Sequence, residues 1–443
     1  MAKRFAVSLF LIAIFASSTS THAQSGVPTI PNLCPYTHTK SLACLIPDVS
    51  GTGFQGKLSG FNTTISQVAG QLPLAAPVSG FALAFDRSTG IYKTLDDTLG
   101  SVLTERGSTI GKGRVFVAFT AQRFVFHSID GTNLNNLPQV VLIPGALVGN
   151  NYVANTSTLS ANINQFTGIV AYGVSDRIDV SITIPYERIS MAAGALSSVI
   201  ANSASGAVSP PTAAYVAGSA HGFGDIVLNA KGTIYNGERN KIAVGGEIRL
   251  PTGDDLNFLG TGALGLKPYI VYSRPGWITP HVNFGYQWND YSELYINPKS
   301  ATCNGTCNGT LQLPRSLDYS AGADIGVIKK KLTIVADFIG QHYFSSPEIQ
   351  SPIPANQADP TLNCSGSTPP TGCANPAFVT FTNRPTVRLT TGGVNIDNAS
   401  LGIKVKAYKN LLLSANALIR LDNGGLRPDR FVPLVGISYS FGK

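Results

Sequence analysis

From about residue 112 onward, apolar and polar side chains alternate along the chain in segments of about a dozen residues, each followed by a break. In residues 178–186, Val180 and three isoleucines share one face, whereas Asp179 lies on the other. Residues 277–289 follow the same rule. Alternation with a period of two residues and one apolar face predicts β-strands.

Counting these segments gives twelve strands. They lie near residues 113–128, 162–174, 176–190, 223–236, 240–250, 263–274, 277–289, 316–327, 331–344, 396–407, 410–422 and 431–441. The connections are alternately short and long. Short turns lie at residues 174–176, 236–240, 274–276, 329–331 and 408–410, and long loops at about residues 129–161, 191–222, 251–262, 290–315, 345–395 and 423–430.

Short turns at one end and long loops at the other are typical of a bacterial outer-membrane barrel. Each segment has about the length of a strand that crosses a bilayer at a tilt, and a sheet in lipid must close because every strand edge needs a partner. The sequence therefore predicts an all-β fold, a transmembrane antiparallel up-and-down β-barrel of about twelve strands over residues 112–443. A soluble β-sandwich is the alternative, but strands rich in glycine, alanine and single aromatics would pack poorly across its core.

The N-terminus has the features of a secretory signal over residues 1–23. Lys3 and Arg4 precede an apolar run over residues 5–16, and small residues at Thr21 and Ala23 favour cleavage before Gln24. We therefore expect export and, with the barrel pattern, insertion into outer-membrane lipid of a Gram-negative bacterium. The closing strand carries Val435, Ile437, Tyr439 and Phe441 on one face, which resembles the terminal strand that barrel-assembly machinery recognises.

Composition narrows the function classes. Only 13% of the chain is charged, against roughly 25% in soluble domains. The formal charge of +8 loses Lys3 and Arg4 with the signal, which leaves +6, and the basic residues are scattered, so we expect no nucleic-acid partner. After the signal, no apolar stretch approaches the roughly 20 residues that a spanning helix needs.

The six cysteines fall into three local pairs in loop-like segments. In an oxidising compartment they predict disulfides between Cys34 and Cys44, Cys303 and Cys307, and Cys364 and Cys373. A zinc site is the rival interpretation, but the pairs lie far apart and lack histidine at ligand spacing. We expect no metal and no cofactor.

Residues 260–265 have the glycine spacing of a dinucleotide-binding fingerprint, but strand-forming residues and Pro268 follow where a helix is required. A polar reversal between two strands explains the glycines better. A calcium site at Asp254, Asp255 and Asn257 is conceivable, although a polar loop has the same composition.

The stretches GFGDIVLNAKGTIYN, IAVGGEIRLPTGDD and GTGALGLKPYIVYS resemble a family of outer-membrane proteins named Putative MetA-pathway of phenol degradation. The matching landmarks are Gly222, Gly224, Asp225, Lys231, Leu250, Pro251, Thr252, Gly253, Asp254, Gly260, Thr261, Gly262 and Pro268. The resemblance implies an outer-membrane barrel, associated by name with aromatic catabolism, that transports small molecules. It implies no particular substrate.

Residues 24–111 precede the barrel pattern and are predicted to be a pre-barrel segment, in the periplasm or plugging the lumen. Residues 62–72 have the character of a short helix. Residues 80–86 and 100–109 could form a hairpin, which would plug the barrel or extend it to fourteen strands.

The strand parity predicts which charged side chains face the lumen. The predicted lumen-facing residues are Asp179, Glu187, Asp225, Lys231, Glu247, Arg249, Lys267, His281, Asp318, Asp324, Asp337, Lys404, Lys406 and Arg420. They could fill a closed barrel with salt bridges or line a wet pathway.

Passive transport of small apolar or aromatic solutes is the favoured function. An outer-membrane hydrolase is a poor fit, because His127 and Ser128, as neighbours in a strand, point to opposite faces. We therefore predict no catalytic residues. A structural or adhesive barrel that presents disulfide-stapled surface loops is the alternative.

Overall fold

The computed structural model describes residues 41–45, 64–65, 68, 72–76, 83–86, 91–94, 97–143, 151–200, 209–296, 310–355, 384–428 and 431–441. Its strands are β1 (Leu83–Asp86), β2 (Ile91–Thr94), β3 (Val115–Ile129), β4 (Thr132–Asn133), β5 (Leu137–Ile143), β6 (Asn151–Ser175), β7 (Ile178–Ile200), β8 (Thr212–Phe223), β9 (Ile226–Asn236), β10 (Lys241–Leu250), β11 (Gly265–Ser273), β12 (Ile278–Asn289), β13 (Tyr291–Ile296), β14 (Thr310–Gln312), β15 (Ser316–Ile328), β16 (Leu332–Pro354), β17 (Pro385–Tyr408), β18 (Leu411–Arg420), β19 (Leu426–Pro428) and β20 (Phe431–Phe441).

Twelve of these strands form one closed antiparallel barrel. In order around the barrel they are β3, β6, β7, β9, β10, β11, β12, β15, β16, β17, β18 and β20. The barrel closes because β3 pairs with β20 on one side and β6 on the other, as in the pairs Ala121 with Val435 and Ala118 with Ile169. The prediction of a twelve-stranded barrel is confirmed. The alternative of fourteen strands is wrong, because β1 and β2 form a separate two-stranded sheet.

Little of the described chain is helical. Two 3-10 helices cover Leu42–Cys44 and Asp255–Asn257. Thr64, Ile65 and Val68 are also helical, within the stretch whose character predicts a short helix. No helix among the described residues is long and apolar enough to span a membrane.

Tight connections lie together at one end of the barrel, the short-turn end. They are residues 176–177, 237–240, 274–277, 329–331 and 409–410. At the opposite, long-loop end, β6, β7, β16 and β17 run for 25, 23, 23 and 24 residues. That is about twice the length that crosses a bilayer, so these strands continue beyond the membrane.

The long strands correct the predicted loops at residues 129–161, 191–222 and 345–395, because each of these loops contains strand at both ends. The physical reason is visible in β6, where the outward-facing Thr158 and Ser160 are polar and exposed. Beyond the membrane the apolar face disappears, yet the hydrogen-bonded ladder continues. A strand boundary placed at the end of the hydrophobic alternation therefore falls short.

The outward face of the barrel is apolar. Phe119, Phe166, Ile278 and Leu401 are between 46% and 61% exposed although they are large hydrophobic side chains. A continuous apolar band around a closed barrel fits a bilayer and does not fit water. The protein is therefore a transmembrane barrel of the bacterial outer membrane, as the sequence predicts.

The interior differs between the two ends. Towards the long-loop end, Phe124, Phe126, Ile163, Ile189 and Met191 belong to one buried apolar cluster. Towards the short-turn end, the inward positions carry buried charged and polar side chains. The polar lumen predicted from strand parity is therefore present in only part of the barrel.

Residues 97–111 contain no strand or helix and lie within the barrel, where they bond to inward-facing side chains. We call them the luminal segment. The predicted hairpin of residues 80–86 with 100–109 is wrong, because the partner of β1 is β2. The signal over residues 1–23 lies outside the described residues, and the unit boundaries 24–111 and 112–443 stay predictions.

Candidate functional site in the barrel lumen

The luminal segment crosses the lumen at the short-turn end. At its start, the Lys330 amide donates to the Asp97 carbonyl at 2.8 Å, in the turn between β15 and β16. Near its end, Thr109 Oγ1 donates to the Asp176 carbonyl at 2.8 Å, in the turn between β6 and β7. The segment therefore runs from one wall of the barrel to the opposite wall.

A buried ion pair holds the middle of the luminal segment. Arg106 Nε lies 2.9 Å from Asp324 Oδ2 of β15, and the side chains of both residues are nearly inaccessible, at 4% and 0%. Arg106 Nη2 also donates to Thr98 Oγ1 at 2.6 Å, within the segment. A buried ion pair with these extra hydrogen bonds is costly to break from one side, because the remaining charge would have no solvent.

A histidine on the barrel wall joins the segment to a second carboxylate. His281 Nε2 lies 2.8 Å from Thr104 Oγ1 of the segment and 2.8 Å from Asp337 Oδ1 of β16. His281 and Asp337 are both buried. The ring therefore bridges the segment to the wall.

Three more wall residues bind the segment: Lys404, Lys231 and Asp179. Asp179 Oδ2 accepts from the Ile110 amide at 3.0 Å. Lys404 Nζ donates to the Ser101 carbonyl at 2.7 Å. Lys231 pairs with Glu105, and its Nζ also donates to the Arg106 carbonyl at 3.1 Å. Of the predicted lumen-facing residues, six thus surround the luminal segment: Asp179, Lys231, His281, Asp324, Asp337 and Lys404.

On the long-loop side of the segment lies a cavity of about 240 Å³. A further six predicted lumen-facing residues line it: Glu187, Asp225, Glu247, Arg249, Lys267 and Asp318. Its apolar wall includes Leu72, Leu74, Leu103, Tyr269, Val271 and Ile339. The cavity therefore presents both charged groups and a substantial apolar surface.

Glu187 of β7 has one partnered and one unpartnered oxygen. Its Oε1 accepts from Gln165 Nε2 at 2.7 Å, and Gln165 in turn bonds to Gln122. Its Oε2 is buried and has no hydrogen-bond partner among the described residues. A buried carboxylate oxygen without a donor is costly, so this oxygen is available to a donor that enters the cavity.

The other charges of the cavity are paired. Lys267 Nζ lies 3.2 Å from Glu247 Oε1 and 3.4 Å from Asp318 Oδ2, and all three side chains are about one-fifth exposed. Arg249 Nη2 donates to Asn289 Oδ1 at 2.7 Å. This wall can interact with either sign of charge on a solute, because it exposes both signs.

Asp225 holds a loop inside the long-loop end of the barrel. Its Oδ1 accepts from the Gly253 amide at 3.1 Å, and its Oδ2 accepts from the Thr261 amide at 2.8 Å and Thr261 Oγ1 at 2.6 Å. Residues 251–262, which we call the inward loop, therefore connect two strands at the outer rim and also fold into the barrel. Phe258 and Leu259 of this loop are buried, and Leu259 lines the cavity.

The inward loop also explains the glycine-rich motif. Any Cβ at Gly260 would collide with Asp225 and would lie 2.9 Å from the Gly253 Cα. Gly262 has a φ of +63°, a left-handed conformation that favours glycine. The glycines therefore allow a tight loop to pack against Asp225. This agrees with the sequence-based interpretation of the motif as a chain reversal between two strands and not as a dinucleotide-binding turn.

Asp254 and Asn257, two of the three residues of the conceivable calcium site, bond to each other. Asp254 Oδ1 accepts from the Asn257 amide at 3.3 Å and caps the short 3-10 helix. Among the described residues, no group of three or more His, Cys, Asp and Glu side chains is placed to hold a metal ion.

The last two predicted lumen-facing residues lie apart from the cavity. Lys406 is half-buried near the short-turn end, where its amide donates to the Lys331 carbonyl at 2.9 Å. Arg420 Nη1 donates to Ser128 Oγ at 3.0 Å near the long-loop end. Neither lines the cavity.

Cys34, Cys303, Cys307, Cys364 and Cys373 lie outside the described residues, and only the backbone of Cys44 is described. The three disulfides therefore stay predictions.

Sequence reasoning missed four residues of the site. Glu105 and Arg106 precede the first barrel strand and have no periodicity to mark them. Gln122 and Gln165 are neutral, so an inventory of charges passes over them, although they share the inward parity of Phe124 and Ile163. Strand parity applied to all polar residues would find the two glutamines.

Comparisons with solved structures find outer-membrane proteins with low sequence identity. An outer membrane channel from Pseudomonas putida F1 is 11% identical, with a TM-score of 0.41, and the match covers 77% of this chain and 100% of that one. The NanC porin is 7% identical, with a TM-score of 0.32 and coverage of 73% and 98%. A FadL homologue from Pseudomonas aeruginosa is 9% identical, with a TM-score of 0.28 and coverage of 74% and 89%.

A comparison with curated protein sequences finds no match. A family model does match, over residues 108–308, which run from the end of the luminal segment beyond β12. This range contains every landmark of the resemblance, including Asp225 and the glycines of the inward loop. The resemblance is therefore confirmed: residues 108–308 match the model of the family described as Putative MetA-pathway of phenol degradation.

Proposed function

We propose that this protein is a passive outer-membrane channel for small apolar or aromatic solutes that carry a hydrogen-bond donor. The observation that carries the proposal is the cavity of about 240 Å³ with an apolar wall and the unpartnered Oε2 of Glu187. An engineered apolar cavity of about 150 Å³ holds benzene, so the volume suits a single substituted ring. The family description, which names phenol degradation, agrees with such a solute.

Passage requires the luminal segment to move, because it crosses the lumen between the cavity and the short-turn end. Side chains such as Arg106, Glu105 and Thr104 attach it to the wall, and it does not join the strand ladder of the barrel. Side-chain contacts can be exchanged singly, whereas a strand of a closed barrel cannot leave its ladder without opening it. The segment is therefore the part of the lumen best suited to move.

The direct test is uptake by liposomes that contain the pure folded protein. A phenolic single-ring solute and a monosaccharide of similar size are compared against empty liposomes. We expect the phenolic solute to enter faster than the monosaccharide. If neither solute nor any ion passes, and deletion of the gene leaves uptake by cells unchanged, the channel proposal is wrong.

Glu187→Gln tests the role of the carboxylate. We expect slower uptake of the phenolic solute, about tenfold if one charge-assisted hydrogen bond is lost, with monosaccharide uptake little changed. Glu348→Gln is the matched control, because Glu348 lies on β16 outside the cavity. Equal uptake by Glu187→Gln and the wild type would remove Glu187 from the proposal.

The paired charged side chains of the cavity wall give a second test of the pathway. Joint replacement of Glu247 and Arg249 by serine should change the selectivity between cations and anions, because both line the cavity. Replacement of Ile248 by serine is the control, since Ile248 faces outward and is 41% exposed. An equal change from both variants would contradict a pathway through this cavity.

A structural or adhesive barrel is the second candidate. The extension of β16 and β17 far beyond the membrane length favours it, because it presents a large surface at the long-loop end. Both functions place the short turns in the periplasm and the long loops outside, as in bacterial barrels. Protease added to intact cells should then cut within residues 356–383 and spare the lysine turn at 329–331.

A further inference from the structure

Four side chains form a row on the outward face of neighbouring strands. The register pairs Arg123 of β3 with Asn164 of β6, Asn164 with Arg188 of β7, and Arg188 with His221 of β8. Arg123, Arg188 and His221 are exposed, and Asn164 is half-exposed. We call these four residues the basic row. The backbones of Arg123 and Arg188 lie two strand spacings apart, roughly 10 Å.

The basic row marks the edge of the apolar belt. On β7, Ile178, Val180, Ile182, Ile184 and Tyr186 face outward in sequence, and Arg188 is the next outward residue. These positions span nine residues, and about nine to eleven cross a bilayer. Arg188 therefore lies at the level of the headgroups on the long-loop side.

An apolar groove lies directly below the basic row, towards the short-turn end. It is lined by outward side chains of neighbouring strands, including Phe119, Phe166, Ile184, Tyr186, Phe223 and Val435. The rings of Tyr186 and Phe223 are 5.6 Å apart in an edge-to-face arrangement and form part of its upper border. A groove of this composition at membrane depth suits an acyl chain.

The charge around the row has one sign. Among the described residues of β3, β6, β7 and β8, no acidic side chain faces outward, because Asp179 and Glu187 both point into the lumen. On the opposite wall the outward face carries Asp397, which accepts from Tyr319 Oη at 2.8 Å. On the described residues of these four strands, the positive charge of the basic row therefore has no outward-facing acidic neighbour.

From this placement we infer that the basic row and the groove below it bind a phosphorylated, acylated glycolipid of the outer leaflet. Arg123 and Arg188 bind phosphate oxygens, Asn164 and His221 donate further hydrogen bonds, and one acyl chain occupies the groove. Arginine suits phosphate because its guanidinium donates two parallel hydrogen bonds. The site is on the lipid-facing surface, so it is independent of whether solutes pass through the lumen.

The test uses the folded full chain in a neutral detergent and native mass spectrometry. Lipid A with two phosphates is the probe, and lipid A with one phosphate and phosphatidylglycerol are the competitors. We expect the affinity for the two-phosphate form to fall at least about tenfold in Arg123→Ser/Arg188→Ser, and the one-phosphate form to bind the wild type more weakly than the two-phosphate form. Heat-modifiable migration on gels verifies that each variant is a folded barrel.

Arg239→Ser/Arg388→Ser is the matched control, because it removes the same charge from exposed arginines outside the row. This control should bind the two-phosphate lipid as the wild type does. Equal losses in both double variants would reduce the site to general attraction by net charge and overturn the inference. Equal binding of phosphatidylglycerol and lipid A by the wild type would also overturn it, since a glycolipid-specific site would then be absent.

Discussion

The two ends of the lumen are filled in different ways. At the short-turn end, the luminal segment is held by buried ion pairs and hydrogen bonds, such as Arg106 with Asp324. At the long-loop end, Phe124, Ile163 and Ile189 belong to an apolar cluster that also includes Leu259 of the inward loop. Polar contacts need specific partners and geometry, whereas apolar contacts are non-directional. The comparison indicates that the short-turn end is built for discrete rearrangement and the long-loop end for rigidity.

The largest expected effect comes from removing one partner of the buried ion pair at the short-turn end. Arg106→Ala leaves Asp324 buried without its main partner, so we expect the free energy of unfolding to fall by about 3–5 kcal/mol. Denaturant unfolding of the folded barrel measures this change. The double variant Arg106→Ala/Asp324→Ala should recover much of the loss, because no buried charge is then left alone. Strictly additive losses would show that the two side chains are not coupled.

The next effect is at the apolar end. Ile189→Ala removes buried side-chain atoms from a residue that is 1% exposed, and we expect a loss of about 3 kcal/mol. Ile184→Ala on the same strand is the matched control, because Ile184 faces the lipid. Its loss should be smaller, since lipid can fill the space that a core cannot. Equal losses would mean that the long-loop end is not rigidly packed.

The barrel itself follows from the sequence because its outward face has a regular pattern. Residues such as Ile182 and Ile184 face lipid at every second position. Tight turns such as residues 329–331 join the two strands of each hairpin. Lipid enforces this alternation, since both the apolar face and the closed ladder are obligatory. Twelve strands and the parity of the charged residues can therefore be predicted from one chain.

The filling of the lumen does not follow in the same way. The luminal segment has neither helix nor strand periodicity, and its contacts, such as Thr104 with His281, join residues far apart in sequence. The inward fold of residues 251–262 depends on Asp225, whose three bonds come from Gly253 and Thr261. A polar glycine-rich stretch gives no sign of whether it points into the barrel or away from it. The sequence pattern therefore does not predict the cavity.

Asp225 lines the cavity between the two ends and accepts hydrogen bonds from the inward loop. The variant Asp225→Asn tests how firmly this carboxylate holds the loop. The amide group cannot accept from all three donors, so we expect a loss of about 2 kcal/mol and faster protease cleavage within residues 251–262. Asp254→Asn is the matched control, because asparagine caps a helix about as well as aspartate. Similar cleavage of both variants would show that Asp225 does not hold the loop.

The smallest expected effect is a pH dependence at the long-loop end, outside the membrane. Asp130 follows β3, and its two oxygens accept from the Gly425 amide at 2.6 Å and the Ile349 amide at 2.7 Å. Burial raises the pKa of Asp130 above its ordinary value, and these two hydrogen bonds only partly oppose the rise.

Because the pKa of Asp130 is higher in the folded state, its contribution to stability is fully present below its unfolded pKa of about 3.9 and is lost as pH rises through the raised folded value. Asp130→Asn removes this titration, and asparagine tolerates the left-handed φ of +47° at this position. The free energy of unfolding of the wild type, measured against pH, should therefore fall relative to that of the variant across this acidic window. Two parallel curves would show that Asp130 does not titrate differently on folding, and that the long-loop end derives its stability from apolar packing without this carboxylate.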